Sequence, residues 1–175
     1  MIIESDEKII EKGKSILPYV LVVLLVVLIR SFVITPIKVD GASMYSTLED
    51  GEILLLKKFD KSFKRFDVVV FSYGNDRLIK RIIGLPGETI EYKNNKLYVN
   101  GKYMKEPFLK NNQETYDFKL KKIGITKVPK GNYFVLGDNR TNSTDSRMIG
   151  TIQKEQIQGK TDFVIFPFTK VGSFN

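Results

Sequence analysis

The chain has 175 residues, 42% of them hydrophobic, a formal charge of +8, and neither cysteine nor histidine. That length suits one compact domain plus an appendage. The missing residue types exclude a disulfide framework, a thiolate metal site and any catalytic scheme that relies on imidazole or thiolate.

The positive balance suits nucleic acid, an anionic membrane surface or simply a solvated lysine-rich exterior. No recognition helix or aromatic RNA-binding signature accompanies it, which favours the last. Residues 1–15 set Glu4, Asp6, Glu7 and Glu11 against Lys8, Lys12 and Lys14 and read as a short solvated segment. Residues 16–34 then run I-L-P-Y-V-L-V-V-L-L-V-V-L-I-R-S-F-V-I, apolar on every side. Only Arg30 is charged, near the C-terminal end, where it can snorkel to headgroups. A helix of roughly 19 residues spans about 28 Å, close to the bilayer core. Pro18 falls in its first turn, where a missing N–H costs little. A buried core helix would show a polar face, and a cleavable signal peptide would begin basic and end in small residues. Acidic residues precede this run and Phe32, Val33 and Ile34 close it, so an uncleaved membrane anchor is expected. The lysines before it and Arg30 and Lys38 after it orient it only weakly.

Thr35-Pro36 ends the helix, and the remainder, 35–175, reads as one β-rich domain. Strands are expected at 52–58, 66–73 and 77–83, punctuated by turns at Asp50-Gly51, Gly74-Asn75 and 84–87. Strands at 88–93 and 96–99 flank Asn94-Asn95, and Asn100-Gly101 leads into 102–104, giving two hairpin turns. Residues 106–130 are polar and read as an excursion or small cap with one strand at 115–120. A strand at 132–136, a polar loop at 137–150, a short helix at 152–157 and a last strand at 160–167 follow. Many short strands with frequent turns imply a mostly β fold, an antiparallel barrel or sandwich.

Three stretches carry chemistry. The first, V-D-G-A-S-M-Y-S-T-L-E-D-G-E from Val39 to Glu52, holds Ser43 between small residues and Met44. A serine nucleophile needs a base, and without histidine that base is a lysine, a carboxylate or a metal-bound water. The second is R-L-I-K-R-I-I-G-L-P-G-E from Arg77 to Glu88. By strand alternation Lys80 shares a face with Leu78 and Ile82. Burial there would lower its pKa and make it a base; an edge strand would leave it in water, where lysines usually lie. The third is G-D-N-R-T-N-S-T-D-S-R from Gly137 to Arg147, too polar for a core strand and dense in hydrogen-bonding groups. Ser143 there can bond an amine, and Asp138 and Asp145 can pair with Arg140 and Arg147 to stiffen the loop. Alone, such a segment is most often a surface turn.

Together the three stretches resemble the bacterial type I signal peptidases, membrane-anchored serine proteases with a Ser-Lys dyad. The pattern G-x-S-M-x-x-T-L is met by Gly41, Ser43, Met44, Thr47 and Leu48. K-R-[IV]-[IV]-G-L-P-G is unbroken from Lys80 to Gly87, and G-D-N-R-x-x-S-x-D-S-R from Gly137 to Arg147. The resemblance covers nearly the whole chain. It implies Ser43 as nucleophile, Lys80 as general base and Ser143 as the residue that orients Lys80. Asp145 and Arg147 would be a supporting pair, with Asp138 and Arg140 buttressing the same loop. The Ser43 N–H would be an oxyanion donor; the position that supplies a second, serine donor in some members is Gly41 here. Val39, Met44, Leu48 and Ile79 would line shallow pockets for a small-x-small motif. The substrates implied are secretory preproteins, handled by a monomer at membrane lipid without nucleic acid, metal or cofactor. The N-terminus would be cytoplasmic and the catalytic domain extracellular.

One departure is Ser46, where the family usually has Pro. It is expected to loosen the turn by about 1 kcal/mol and leaves open a specialised or inactive paralogue acting as an anchored preprotein-binding module. The self-cleaving SOS-type repressors share the dyad but carry a DNA-binding domain and no anchor, unlike this chain.

Overall fold

The structure, a computed structural model, describes residues 16–28, 34–109 and 114–174. Residues 16–28 form a helix, α1, with every side chain exposed. Among the described residues no helix is long and apolar enough to cross a membrane. The expected solvated segment 1–15 and the end of the expected anchor at 29–33, with Arg30, lie outside the described residues.

The rest is mostly antiparallel β. The strands are β1 (Ile34–Lys38), β2 (Ile53–Lys57), β3 (Val68–Tyr73), β4 (Asp76–Gly84), β5 (Ile90–Lys93), β6 (Lys96–Val99), β7 (Lys102–Met104) and β8 (Phe118–Lys119). They continue as β9 (Asn132–Leu136), β10 (Ile152–Gln153), β11 (Ile157–Thr161), β12 (Phe163–Phe166) and β13 (Gly172–Ser173). A nine-stranded sheet runs in the order β10-β9-β4-β3-β11-β2-β12-β13, with β1 paired to β2, and a four-stranded sheet runs β7-β6-β5-β8. The expected barrel is not closed: among the described strands the large sheet ends at β10 and β13 without a ring.

The reasons are local. β3 is a continuous apolar run because both its faces are covered: Val68 and Val70 enter one core cluster and Val69 and Phe71 another. Asn94, Asn95, Asn100 and Gly101 all take positive φ, as two-residue hairpin turns of the favoured hand require. Ile83, Phe134 and Leu136 of the large sheet share a core with Ile90, Tyr92, Leu97, Val99 and Phe118 of the small one. The small sheet therefore begins at β5, well before the excursion expected at 106–130, and β8 from that excursion closes one of its edges.

Several local expectations change. The strand expected at 115–120 is only β8, followed by a 3₁₀ turn, Leu120–Ile123. The polar loop 137–150 contains a one-turn helix, α2 (Ser146–Ile149), capped by the Asp145 side chain. The helix expected at 152–157 is β10 and a 3₁₀ turn, Lys154–Gln156, because Ile152 and Ile157 are drawn into the core from two separate strands. The single strand expected at 160–167 breaks at Asp162: β11 pairs with β3 and touches β2 at Lys57, and β12 continues along β2.

Two strand edges stay open. β1 pairs only with β2, and as an edge strand it tolerates Pro36. β4 pairs with β3 along Asp76–Arg81, but with β9 only from Arg81 onward. The outer edge of β1 and the first half of β4 are thus both left without a ladder partner among the described strands.

Where β11 crosses to β2, Gly159 lies so close that an added Cβ would sit 2.4 Å from the Lys57 carbonyl oxygen. That neighbour is backbone and cannot rotate away. Gly159→Ala is expected to cost about 1–3 kcal/mol, the usual range for overpacking. Denaturant unfolding of the full chain in detergent checks this; an unchanged midpoint would mean that the β11–β2 crossing yields easily.

Candidate active site

Ser43 sits in a tight turn that follows β1. Tyr45 N–H bonds Ala42 O, and the N–H groups of Thr47 and Leu48 both bond Met44 O. Met44 and Leu48 anchor that turn by burying in the core with Ile37, Val39 and Ile79. Val39 and Glu52 close its base, with Val39 N–H donating to Glu52 O at 2.7 Å. The turn exists because two apolar residues four apart pin a segment that is otherwise small and polar.

β4 brings Lys80 to this turn. Its Nζ donates to Ser43 Oγ at 2.8 Å and to Ile79 O at 3.0 Å. Lys80 is 2% exposed, so the solvent-exposed alternative does not hold. Burial pushes the ammonium down to about 8, while the carboxylates of Asp145 and Asp138 pull it back up.

The third stretch clamps the same turn from the other side. Asn139 donates its N–H to Ser43 O and its side-chain amide to Ala42 O, each at 3.0 Å. Gly137 packs so tightly here that a Cβ would lie 2.2 Å from Ser143 Oγ and 2.5 Å from Ser43 O. Asp145, fully buried, accepts from Gly137 N–H and from Arg147 Nε and Nη2. Asp138 takes a different partner from the one expected: it pairs with Arg81, Nε to Oδ1 at 2.9 Å and Nη2 to Oδ2 at 2.7 Å. Arg140 takes Glu106, Nη2 to Oε1 at 2.6 Å.

Some expected contacts are not made. Ser143 Oγ is buried beside Gly137 and has no hydrogen-bond partner among the described residues, so it does not bond Lys80. The Gly41 N–H donates to Asp50 Oδ1 at 2.8 Å instead of facing the site. Among the described residues the Ser43 N–H bonds no backbone carbonyl. Leu48, expected on a pocket wall, lies fully buried in the core, whereas Val39, Met44 and Ile79 line a cleft of about 670 Å³. That cleft runs between residues 37–40 and 75–80, the two unpaired strand edges. A smaller cavity of about 260 Å³, lined by Asp40, Gly41, Ser43, Lys80, Asn142 and Ser143 among others, also opens beside the Ser43–Lys80 pair. Among the described residues no cluster of three or more carboxylates is arranged to hold a metal ion.

Sequence reasoning passes over Arg81, Asn139 and Gly137 as individuals, although all three lie inside the matched motifs. A charged Arg81 within an apolar strand is the available signal. Glu106, Tyr92 and Thr115 give none.

A serine hydroxyl held by a buried lysine, in a chain without histidine, has the make-up of a serine hydrolase that uses an amine where others use imidazole. The model of the family described as signal peptidase, peptidase S26, matches residues 11–166. Signal peptidase I S of Bacillus subtilis strain 168 is 43% identical over 179 residues, covering 95% of this chain and 97% of that one. Signal peptidase I V of the same strain is 48% identical over 149 residues, covering 78% and 89%. A crystal structure of a signal peptidase I from Enterococcus faecalis V583 matches with a TM-score of 0.53 at 40% identity, covering 57% of this chain and 96% of that one. The chain belongs to the signal peptidase family, peptidase S26, serine endopeptidases that remove signal peptides.

The Arg81–Asp138 pair is almost fully buried, both side chains at 2% exposure or less. Asp138→Asn removes the carboxylate charge that faces the buried guanidinium and is expected to destabilise the fold by about 3–5 kcal/mol. Chemical denaturation of the full chain in detergent measures it; a loss under about 1 kcal/mol would mean that the pair behaves as a surface bridge.

Proposed function

We propose that Ser43 is the nucleophile and Lys80 the general base of signal peptide cleavage. The observation that carries this reading is the 2.8 Å contact between Lys80 Nζ and Ser43 Oγ in a buried setting. When Lys80 is neutral the direction of that bond reverses, and the hydroxyl donates to the amine. Attack on the scissile carbonyl then sends the serine proton to Nζ and forms a tetrahedral oxyanion. The Ser43 N–H is the donor suited to it. Collapse expels the new amino terminus, which takes the proton from Lys80 and leaves an acyl-serine. Water, deprotonated by the same amine, releases the signal peptide and restores the site.

The cleft supports an extended substrate. A peptide strand can add to its two open edges, and alternate side chains then face the same wall. Val39, Met44 and Ile79 make that wall shallow and apolar, which fits small residues at alternate positions before the scissile bond. The smaller cavity is left for the leaving chain.

The same reading assigns residues 16–34 to a single transmembrane anchor, 1–15 to the cytoplasm and 35–175 to an extracellular catalytic domain that works as a monomer at the lipid surface. Ser43 follows residue 34 by nine positions, at most roughly 30 Å even when extended. Cleavage would thus occur where a signal peptide leaves the bilayer.

A preprotein with an Ala-x-Ala site, presented in detergent with phospholipid, tests this. Wild type is expected to cut after the second Ala, and Ser43→Ala and Lys80→Ala each to lose on the order of 10³-fold or more in kcat. Mutants that cut like wild type would remove both residues from the mechanism.

The pH dependence follows from the need for neutral Lys80. Below its pKa the amine is protonated and cannot accept the serine proton, so the rate is expected to rise with pH through a midpoint of about 8 and then level off. A flat rate across the neutral and alkaline range would exclude a lysine base.

A further inference from the structure

Arg140 leaves the catalytic loop and enters the small sheet. There Nη2 bonds Glu106 Oε1 at 2.6 Å, and Nη1 reaches Tyr92 OH at 3.0 Å and Thr115 Oγ1 at 3.2 Å. Tyr92 OH in turn donates to Glu106 Oε1 at 2.7 Å. The Arg140 side chain is fully buried and that of Glu106 is 6% exposed. Burying such a pair is expensive and seldom a net source of stability. What it fixes is therefore the informative part. Arg140 Nε donates to Gly137 O at 3.0 Å. Gly137 donates its own N–H to Asp145 and lies hard against Ser143 Oγ and Ser43 O. Gly137 is thus the hub on which nucleophile, supporting carboxylates and loop meet, and the small sheet holds it through one arginine.

We propose that Glu106 and Tyr92 are positioning residues for the reaction: acting through Arg140, they fix Gly137 and with it the placement of Asp138 and Asp145 relative to Lys80. This rests on the Ser43–Lys80 reading. The charged groups acting on Lys80 are Asp145 and Asp138, which are paired with Arg147 and Arg81, and Asp40 lines the smaller cavity beside it. Those acting on Arg140 are Tyr92, Glu106 and Asp138. Loosening the loop draws Asp138 and Asp145 away from Lys80 and leaves its burial less opposed. Its pKa then falls and the rising limb of activity moves to lower pH. Arg140, Glu106, Tyr92 and Thr115 do not line the substrate cleft, so substrate affinity is not their concern.

The test uses the full chain in detergent with phospholipid and the Ala-x-Ala preprotein. Glu106→Gln is expected to lower kcat by about 10- to 100-fold, the cost of a small misplacement, with KM held within about twofold. The midpoint of kcat/KM against pH is expected to fall by about half a unit or more. Tyr92→Phe, which removes one hydroxyl and keeps the ring, gives a smaller shift of the same sign. Glu106→Asp recovers part of both losses. A midpoint that stays at the wild-type value, or moves upward, in both Glu106→Gln and Tyr92→Phe overturns the proposal. So does a loss of rate that matches the unfolded fraction seen by circular dichroism. A wild type that cleaves without any alkaline rise would instead sink the lysine-base reading, and the proposal with it.

Discussion

The site depends on keeping one lysine out of water. Lys80 reaches about 8 from an ordinary 10.5, roughly 3 kcal/mol of differential interaction between its charged and neutral forms. Burial supplies that shift, and nothing in the chain can substitute for it, because no imidazole is present. Every other polar group nearby has to be arranged so as not to undo it. Asp138 and Asp145 both pull the ammonium back up, yet Asp145 holds the loop through the Gly137 N–H and Asp138 ties it to Arg81. Arg81 and Arg147 resolve the conflict by occupying the two carboxylates.

This explains why so much of the fold converges on a short segment of β4. Lys80 and Arg81 are neighbours that point opposite ways, one to the serine and the other to Asp138 and the Phe66 carbonyl. The Phe108 ring lies 4.0 Å from the Arg81 guanidinium and shields it further. Because strand geometry alternates side chains, a single strand delivers Lys80 to one face and the counter-ion of Asp138 to the other. A helix would need one residue between them to face nearly opposite ways, since each residue turns the chain by about 100°.

The parts of this arrangement that the amino-acid order makes legible are local. Val68–Tyr73 and Lys96–Val99 announce themselves by β-branched and aromatic runs between turn residues, and the absence of histidine directs attention from Ser43 to a lysine. Lys80 is ambiguous in the sequence because its burial is decided by the nucleophile turn and the polar loop, 37 and more residues away. Arg81 with Asp138 and Arg140 with Glu106 span 57 and 34 residues, and motif spacing cannot reveal pairings of that range. The short apolar pair Ile152 and Ile157 fits a helical turn as well as two strand starts, and only packing decides between them. Resemblance puts Ser143 on Lys80, whereas the close approach of Gly137 holds its hydroxyl elsewhere.

The cleft adds a constraint of a different kind. If, as proposed, the cleft takes signal peptides of differing sequence, it has to accept varied side chains yet hold the chain in a fixed register over Ser43. Open edges on β1 and β4 meet both needs in the proposed reading, since backbone hydrogen bonds hold any extended segment and the pleat dictates which side chains face inward. Selectivity then falls to the wall. Val39, Met44 and Ile79 are each below 10% exposed and packed into the same core that pins the nucleophile turn. A wall of this kind cannot retreat for a large side chain without disturbing Met44, and Met44 is adjacent to Ser43. In the proposed reading, size discrimination and nucleophile alignment are thus coupled through one buried residue: a side chain too large for the cleft would displace Ser43 and so slow its own cleavage.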